Sequence, residues 1–195
     1  SNYMVQEICA FLIACGVKIE GVGTTTLKVT GIEEINEAIE YTLAEDPTDS
    51  MFFLTAAIVT NSELSITRCP IDFLELELLK LSKMGFEYTQ SKPYLSANGI
   101  TRLVDIVTKP SKLTALQEKI YARSYPGLNI DNLPFFAVIA TQAEGQTLIH
   151  DWVYEKRAIY FTELDKLGAE TMLADPHRIF ITGPTKLHAN EMVCP

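Results

Sequence analysis

One short motif occurs three times in this 195-residue chain, and it constrains the fold more than any other feature. Each copy is a short segment that begins with an apolar residue and ends in a glycine: FLIACG at Gly16, LSKMG at Gly85 and LDKLG at Gly168. A second glycine follows each copy after 14 or 15 residues, at Gly31, Gly99 and Gly183. Because repetition in a constant order is the mark of a repeated architecture, the chain is predicted to use one structural module three times.

The module is predicted to be a helix followed by two short strands. Apolar residues before Gly85 recur every three or four positions, as on one face of a helix. They are Ile71, Leu74, Leu78, Leu81 and Met84. Tyr160, Leu164 and Leu167 form the same pattern before Gly168. Each first glycine then has the place of a left-handed residue at a helix C-terminus. The strands that follow are predicted at 17–20, 25–30, 169–174 and 178–182.

Two of the modules are preceded by a further helix and strands, which enlarges the repeat to a βαβαββ unit. Asp46 and Pro47 suit the N-cap and the first position of a helix over 47–59. The corresponding helix of the other unit is predicted over 132–143. The added strands are predicted at 38–43 and 63–68 in one unit and at 103–108 and 146–150 in the other. The chain therefore divides into a partial unit at 1–33, two units within 38–187 and a tail at 188–195.

The two predicted central helices are apolar on nearly every side. They contain the segments MFFLTAAIV and LPFFAVIA, so both are expected to be buried. A symmetric cluster with helices at the centre and sheets outside would bury them. The expected fold class is therefore α/β, in the α+β sense, with repeated βαβαββ units. A lone helix–strand–strand module would leave an apolar face uncovered, so further units are expected outside this chain.

Charge and cysteine content exclude several classes of protein. The formal net charge is −9, whereas nucleic-acid binding requires clustered lysines and arginines. No apolar run approaches the 18 residues of a membrane span, and no signal peptide is recognised. Cys9, Cys15, Cys69 and Cys194 show neither a CxxC motif nor zinc-ligand spacing with histidines. They are predicted to be reduced thiols in a cytoplasmic protein, with Cys9 and Cys15 on a buried helix and with no metal site.

A long connection separates the strand at 103–108 from the helix after Asp131, and such connections are often functional. Asp131 has the place that Asp46 holds in the other unit. From the residues alone, Asp131 is therefore better explained as a helix N-cap than as a catalytic group. Arg157, at the predicted start of the next helix, is equally compatible with a surface position and with a functional one.

The repeat resembles that of the enolpyruvyl transferases. The matching segments are ACGVKIEGVGTTTLKVTGIE at 14–33, PGLNIDNLPFFAVIATQAEGQTLIHDWVYEKR at 126–157 and ELDKLGAE at 163–170. The resemblance covers nearly the whole chain and implies an inside-out α/β barrel in a protein of two domains, each with three such units. It also implies that the N-terminal domain and a final unit lie outside this chain, and that the chain alone is inactive.

The same resemblance implies roles for three residues. Asp131 corresponds to the general base, which also contacts the substrate; the backbone of Val153 contacts a uridine-sugar substrate; and Arg157 faces the active site. The implied reaction transfers the enolpyruvyl group of phosphoenolpyruvate to the 3-hydroxyl of UDP-N-acetylglucosamine, a step of peptidoglycan precursor synthesis. It implies no cofactor, no nucleic acid and no membrane as partners.

Two departures from the family pattern bear on activity. Lys156 replaces the usual asparagine, and Asp46 stands where the family has an arginine near the start of a helix. The other cations and the reactive loop residue of the family would come from parts outside this chain. Two alternatives therefore stay open: a member that acts on shikimate phosphate, and a non-catalytic relative that binds a sugar nucleotide.

Overall fold

The first module of the chain forms as predicted, with a helix and two antiparallel strands. Its elements are α1 (Tyr3–Ala14), β1 (Lys18–Glu20) and β2 (Lys28–Thr30). The computed structural model describes residues 1–35 and 38–193. Gly16 follows α1 with a φ of 93°, and the corresponding Gly85 and Gly168 have φ of 97° and 92°. The left-handed glycine predicted by the motif is therefore present in all three copies, in a conformation that a side chain would strain.

The next unit forms a four-stranded sheet with helices packed on it. Its elements are α2 (Pro47–Val59), β3 (Ser65–Pro70), α3 (Glu75–Lys83), β4 (Tyr88–Gln90), β5 (Tyr94–Leu95) and β6 (Arg102–Thr108). Helix α2 has the predicted bounds, and the Asp46 carboxylate caps it by accepting from the Thr48 amide at 2.7 Å. Strand β6 pairs antiparallel with β3, β4 and β5. The strand expected to open the last unit thus completes the sheet of the unit before it.

The strand predicted at 38–43 is wrong, because these residues form neither helix nor strand. The segment lies beside α1 instead. The Tyr41 ring contacts the Phe11 ring of that helix edge-on, with 5.4 Å between centroids. The Ala44 amide next to it donates to the Glu7 carboxylate at 3.0 Å. A strand needs the backbone of a neighbouring strand. This segment contacts helical side chains, and a helix offers no free backbone edge.

The last unit is built around one long strand. Its elements are β7 (Leu113–Thr114), β8 (Ile120–Tyr121), α4 (Leu133–Ala140), β9 (Ala143–His150), α5 (Arg157–Tyr160), β10 (Glu170–Asp175) and β11 (Arg178–Gly183). Strand β9 pairs antiparallel with β11 and parallel with β7 and β8, while β10 pairs with β11. The register places Tyr121 beside His150. The long connection before α4 therefore runs next to the residues that follow β9.

The burial predicted for the two apolar helices is confirmed for α4 and in part for α2, where Phe52 and Phe53 are exposed. Helix α2 packs on β3, α4 packs on β9 and β11, and the two helices contact each other. The largest of their fully buried side chains are Met51, Leu54, Leu133, Phe136 and Ile139. Burying a side chain of this size stabilises the fold by roughly 1.5–3 kcal/mol. The contact between α2 and α4 thus ties the two units together.

Helix α1 differs from the buried helix that was predicted. Cys9 and Cys15 are buried and free, as is Cys69, but Ile8 and Phe11 of the same helix are exposed. Helix α1 contacts its own first strand, and the Tyr41 ring packs on Phe11. Cys194 lies outside the described residues. Across residues 1–35 and 38–193, no group of three His, Cys, Asp or Glu side chains is arranged to hold a metal ion.

The helical face predicted from Tyr160, Leu164 and Leu167 is also incorrect in part. Helix α5 ends at Tyr160, and a 3-10 helix continues from Phe161 to Leu167. Leu164 is buried, but Tyr160 is 44% exposed and Phe161 takes its place in the core. A 3-10 helix has three residues per turn, so side chains three apart, here Phe161 and Leu164, share a face. Within the described residues no helix has the length and hydrophobicity to span a bilayer.

Candidate active site

Asp131 lies in a 3-10 turn, Ile130–Asn132, that leads into α4. Its side chain is 34% exposed. The cap of this turn is Asn129, whose side-chain oxygen accepts from the Asp131 amide at 3.1 Å. The N-cap role predicted for Asp131 is therefore wrong, because the added 3-10 turn moves the cap two residues upstream. This frees the Asp131 carboxylate from capping, whereas Asp46 of the other unit is used as a cap.

Arg157 reaches back from the start of α5 to the turn that holds Asp131. Its Nη2 donates to the Ile130 carbonyl at 2.7 Å, and its Nη1 lies 4.0 Å from an Asp131 carboxylate oxygen. The guanidinium also covers the Tyr154 ring at 4.5 Å from the centroid. Its side chain is only 18% exposed. A freely solvated surface position, one of the two readings left open by the sequence, is therefore excluded.

Lys156 determines how the chain enters α5. It has a φ of 63° and a ψ of 7°, the left-handed conformation, and its side chain is exposed. Asparagine, the residue of the family pattern here, adopts this conformation far more readily than lysine. The replacement therefore retains the turn that presents Arg157, at the cost of some backbone strain.

Asp151 is a site residue that the sequence analysis missed. It directly follows β9, and its side chain is 0% exposed. Its carboxylate accepts a hydrogen bond from Nε of Arg157 and a longer one from the Tyr154 amide at 3.4 Å. The sequence signal for Asp151 was its charge at the end of a predicted strand. A buried carboxylate needs a hydrogen-bonding or charged partner, so its position indicates an ion pair.

Val153 lies in a groove beside this cluster. The groove has a volume of about 620 Å³, and its lining includes Val153, Trp152, Ile130 and the loop of Tyr125. The Trp152 Nε1 donates to the Ala122 carbonyl at 2.8 Å, which holds the residues after β9 against that loop. Ile130 connects the groove to Asp131, its neighbour in the chain. The structure thus brings Asp131 and Arg157 together and places Val153 in the adjoining groove.

Carboxylates outnumber cations on the groove wall. Among the described residues that line it, Asp72, Glu75 and Glu77 are acidic and Arg123 is basic. Asp72 is paired with Arg102. The Arg123 guanidinium lies over the Tyr121 ring at 5.1 Å from its centroid. The described part of the chain therefore offers few positive charges to a phosphorylated ligand.

Glu77 links the preceding unit to the Asp131 turn. It lies in α3 and is 2% exposed. Its Oε1 accepts from the Asn132 side-chain amide at 2.8 Å and from the Asn129 backbone amide at 3.3 Å. Desolvation by burial raises the pKa of the Glu77 carboxyl, and these hydrogen bonds oppose the rise. One buried carboxyl thus contacts the residues on both sides of Asp131.

Replacing Glu77 with glutamine is expected to flatten the dependence of stability on pH. The folded-state pKa is raised, so the folded protein binds this proton more tightly than the unfolded chain does. The stability it contributes is present below the unfolded pKa of about 4.3 and is lost as pH rises through the folded pKa. Glutamine retains the acceptor oxygen without the charge. Urea midpoints from pH 4 to 8 would measure this, with the exposed Glu75→Gln as control. A wild-type pH slope in Glu77→Gln would contradict it.

Comparison with known proteins identifies close relatives of the whole chain. A family model described as EPSP synthase (3-phosphoshikimate 1-carboxyvinyltransferase) matches residues 1–194. A UDP-N-acetylglucosamine 1-carboxyvinyltransferase of Treponema denticola is 34% identical over 195 residues, covering 98% of this chain and 44% of the relative. The protein of the same name from Treponema pallidum is 28% identical over 191 residues, with the same shares covered.

Solved structures share the fold. The enolpyruvyl transferase NikO from Streptomyces tendae matches with a TM-score of 0.74 at 24% identity, covering 97% of this chain and 42% of that one. An EPSP synthase from Acinetobacter baumannii matches with a TM-score of 0.66 at 22% identity, covering 91% and 40%. These matches confirm the predicted fold class of mixed α/β units of the enolpyruvyl transferase type.

The chain spans less than half the length of the relatives and solved structures that it matches. The family model nevertheless covers nearly all of it, and a relative above 30% identity covers 98% of it. The chain therefore belongs to the EPSP synthase family, the enolpyruvyl transferases that its repeat resembles.

Proposed function

We propose that the protein to which this chain belongs transfers the enolpyruvyl group of phosphoenolpyruvate to the 3-hydroxyl of UDP-N-acetylglucosamine. The observation that carries the proposal is the pairing of Asp131 with Arg157, 4.0 Å apart at the start of α4. The names of the Treponema relatives support the choice of acceptor. The proposed substrates are cytoplasmic metabolites, so a cytoplasmic location belongs to the same proposal.

Asp131 is the proposed general base. In this reaction the vinyl carbon of phosphoenolpyruvate gains a proton, and the sugar oxygen bonds to the adjacent carbon as its hydroxyl proton leaves. The resulting tetrahedral intermediate then loses a methyl proton and inorganic phosphate to give the enol ether. Asp131 would accept the hydroxyl proton, since its carboxylate is uncommitted to capping and partly exposed to a bound ligand.

Val153 and Arg157 are the proposed binding residues. The Val153 backbone would hold the sugar nucleotide in the groove. Arg157 would keep Asp131 in place and face the anionic groups of the substrates, as its two Nη atoms already point to that turn. Preorganised donors of this kind stabilise charge that develops during a reaction.

The remaining cations would come from outside this chain. The division into a partial unit at 1–33 and two units within 38–187 belongs to this proposal, with an N-terminal domain and a final unit completing the protein. Coverage of 44% of each Treponema relative supports it. An acidic groove wall also fits a site that is closed by a basic partner domain.

A phosphate-release assay on the intact protein tests the acceptor. Phosphoenolpyruvate would be supplied with either UDP-N-acetylglucosamine or shikimate 3-phosphate. We expect phosphate to be released with UDP-N-acetylglucosamine as acceptor and not with shikimate 3-phosphate. Release with shikimate 3-phosphate alone would replace the proposal with the shikimate reaction.

The second candidate is a non-catalytic relative that binds a sugar nucleotide. It is favoured by Asp46, which serves as a helix cap where the family pattern has an arginine. Calorimetry would detect it as binding of UDP-N-acetylglucosamine by an intact protein that releases no phosphate.

The isolated 195-residue chain is expected to bind UDP-N-acetylglucosamine weakly and to turn over neither substrate.

A further inference from the structure

The residues after β9 contain a buried carboxylate, Asp151, to which the proposed function gives no role. Asp151 is 0% exposed, and its backbone is held on both sides by His177. The Asp151 amide donates to the His177 carbonyl at 2.8 Å, and the Asp151 carbonyl lies 2.9 Å from the His177 Nδ1. The carboxylate thus sits at a fixed point at the end of the β9–β11 ladder.

That fixed carboxylate binds one edge of the Arg157 guanidinium. Nε of Arg157 donates to Asp151, while Nη2 donates to the Ile130 carbonyl at 2.7 Å. A guanidinium is a planar, rigid fork, so fixing Nε determines the direction of both Nη atoms. The remaining Nη1 is the one that lies 4.0 Å from Asp131.

We propose that Asp151 is a positioning residue that acts through Arg157. It holds the guanidinium so that one Nη atom fixes the Ile130–Asn132 turn and the other is directed at Asp131. Its effect on turnover rests on the proposed function. Its effect on the orientation of Arg157 does not, because that follows from contacts within this chain.

Two variants and a control separate positioning from general stability. Asp151→Asn retains an acceptor of the same size but removes the charge that holds Nε. Asp151→Glu retains the charge one methylene further out. Asp175→Asn is the matched control, since it removes the charge of a pair with Arg178 at 2.6 Å on the neighbouring strands. The asparagine oxygen can still accept from the His177 amide, as Asp175 does at 2.8 Å, so the contacts of His177 with Asp151 are expected to stay.

The first readout is hydrogen exchange of the Arg157 Nε–H, followed by NMR in the intact protein with labelled arginine. The signal is assigned by its loss in Arg157→Lys. We expect exchange to be at least about tenfold faster in Asp151→Asn, intermediate in Asp151→Glu and unchanged in Asp175→Asn. An unchanged rate in Asp151→Asn would overturn the proposal. If that variant fails to fold, Asp151→Glu decides in the same way.

The second readout is steady-state kinetics. Misplacing a catalytic contact by about 1 Å can cost on the order of a hundredfold in rate. We expect kcat to fall roughly tenfold to a hundredfold in Asp151→Asn, with a smaller change in KM and partial rescue in Asp151→Glu. Faster Nε–H exchange with unchanged kcat would show that Asp151 orients Arg157 without contributing to turnover. A wild-type protein without turnover would refute the proposed function, and the exchange rates alone would then decide whether Asp151 orients Arg157.

Discussion

Turnover is expected to fall roughly 10²–10⁴-fold when Asp131 is replaced with asparagine in the intact protein, the usual contribution of a general base. Asparagine has nearly the same shape, and the Asp131 backbone amide keeps its bond to Asn129. The turn should therefore form, and only the proton acceptor is lost. Steady-state assays of phosphate release would measure the change, with KM for the sugar nucleotide expected to change less than kcat.

Asp46→Asn is the matched control for this experiment. Asp46 precedes the corresponding helix of the other unit, where its carboxylate accepts from the Thr48 amide. Asparagine caps helices about as well as aspartate, so the fold should be unaffected. We expect turnover close to wild type in this variant. Near-normal turnover in Asp131→Asn would remove Asp131 from the mechanism, and equal losses in both variants would assign the effect to the repeated helix rather than to a base.

Replacing Phe136 with alanine is expected to lower the free energy of unfolding by about 3–5 kcal/mol. Phe136 is fully buried in α4, the helix that contacts α2, β9 and β11. The alanine variant loses the transfer free energy of the ring and leaves a cavity in the core. Because domains are typically stable by only about 5–15 kcal/mol, this single change removes a large share of that stability.

Urea unfolding would measure the change, and Phe136→Leu provides the graded comparison. Leucine retains most of the apolar volume, so its loss should be well below that of alanine. A cost under about 1 kcal/mol for Phe136→Ala would show that α4 is not packed as described. Equal costs for leucine and alanine would instead indicate that the ring itself, rather than the filled volume, is needed.

Much of the fold could be predicted because its signals are local. Helix α2 has the predicted bounds, since Asp46, Pro47 and the apolar run that follows act within one segment. The left-handed glycines at Gly16, Gly85 and Gly168 are similarly determined by the helix ends next to them. The burial of α4 and of much of α2 followed from their apolar composition.

Two predictions were wrong because they depended on residues that are distant in the sequence. The strand expected at 38–43 depended on a partner strand, and the segment found the side chains of α1 instead. The cap expected at Asp131 was moved to Asn129 by a 3-10 turn that leads into α4, whereas α2 begins directly after Asp46. In each case the repeat predicted the same local structure, and contacts from elsewhere changed it.

The sequence by itself determined the repeated module, its glycine ends and the apolar core of α2 and α4, because periodicity and backbone preference act over a few neighbouring residues. Only the tertiary structure decided what surrounds Asp131. Arg157 reaches Ile130 across 27 residues of sequence, and Glu77 reaches Asn132 across 55. Buried charges select their partners by distance in space, and that distance exists only once the units have packed.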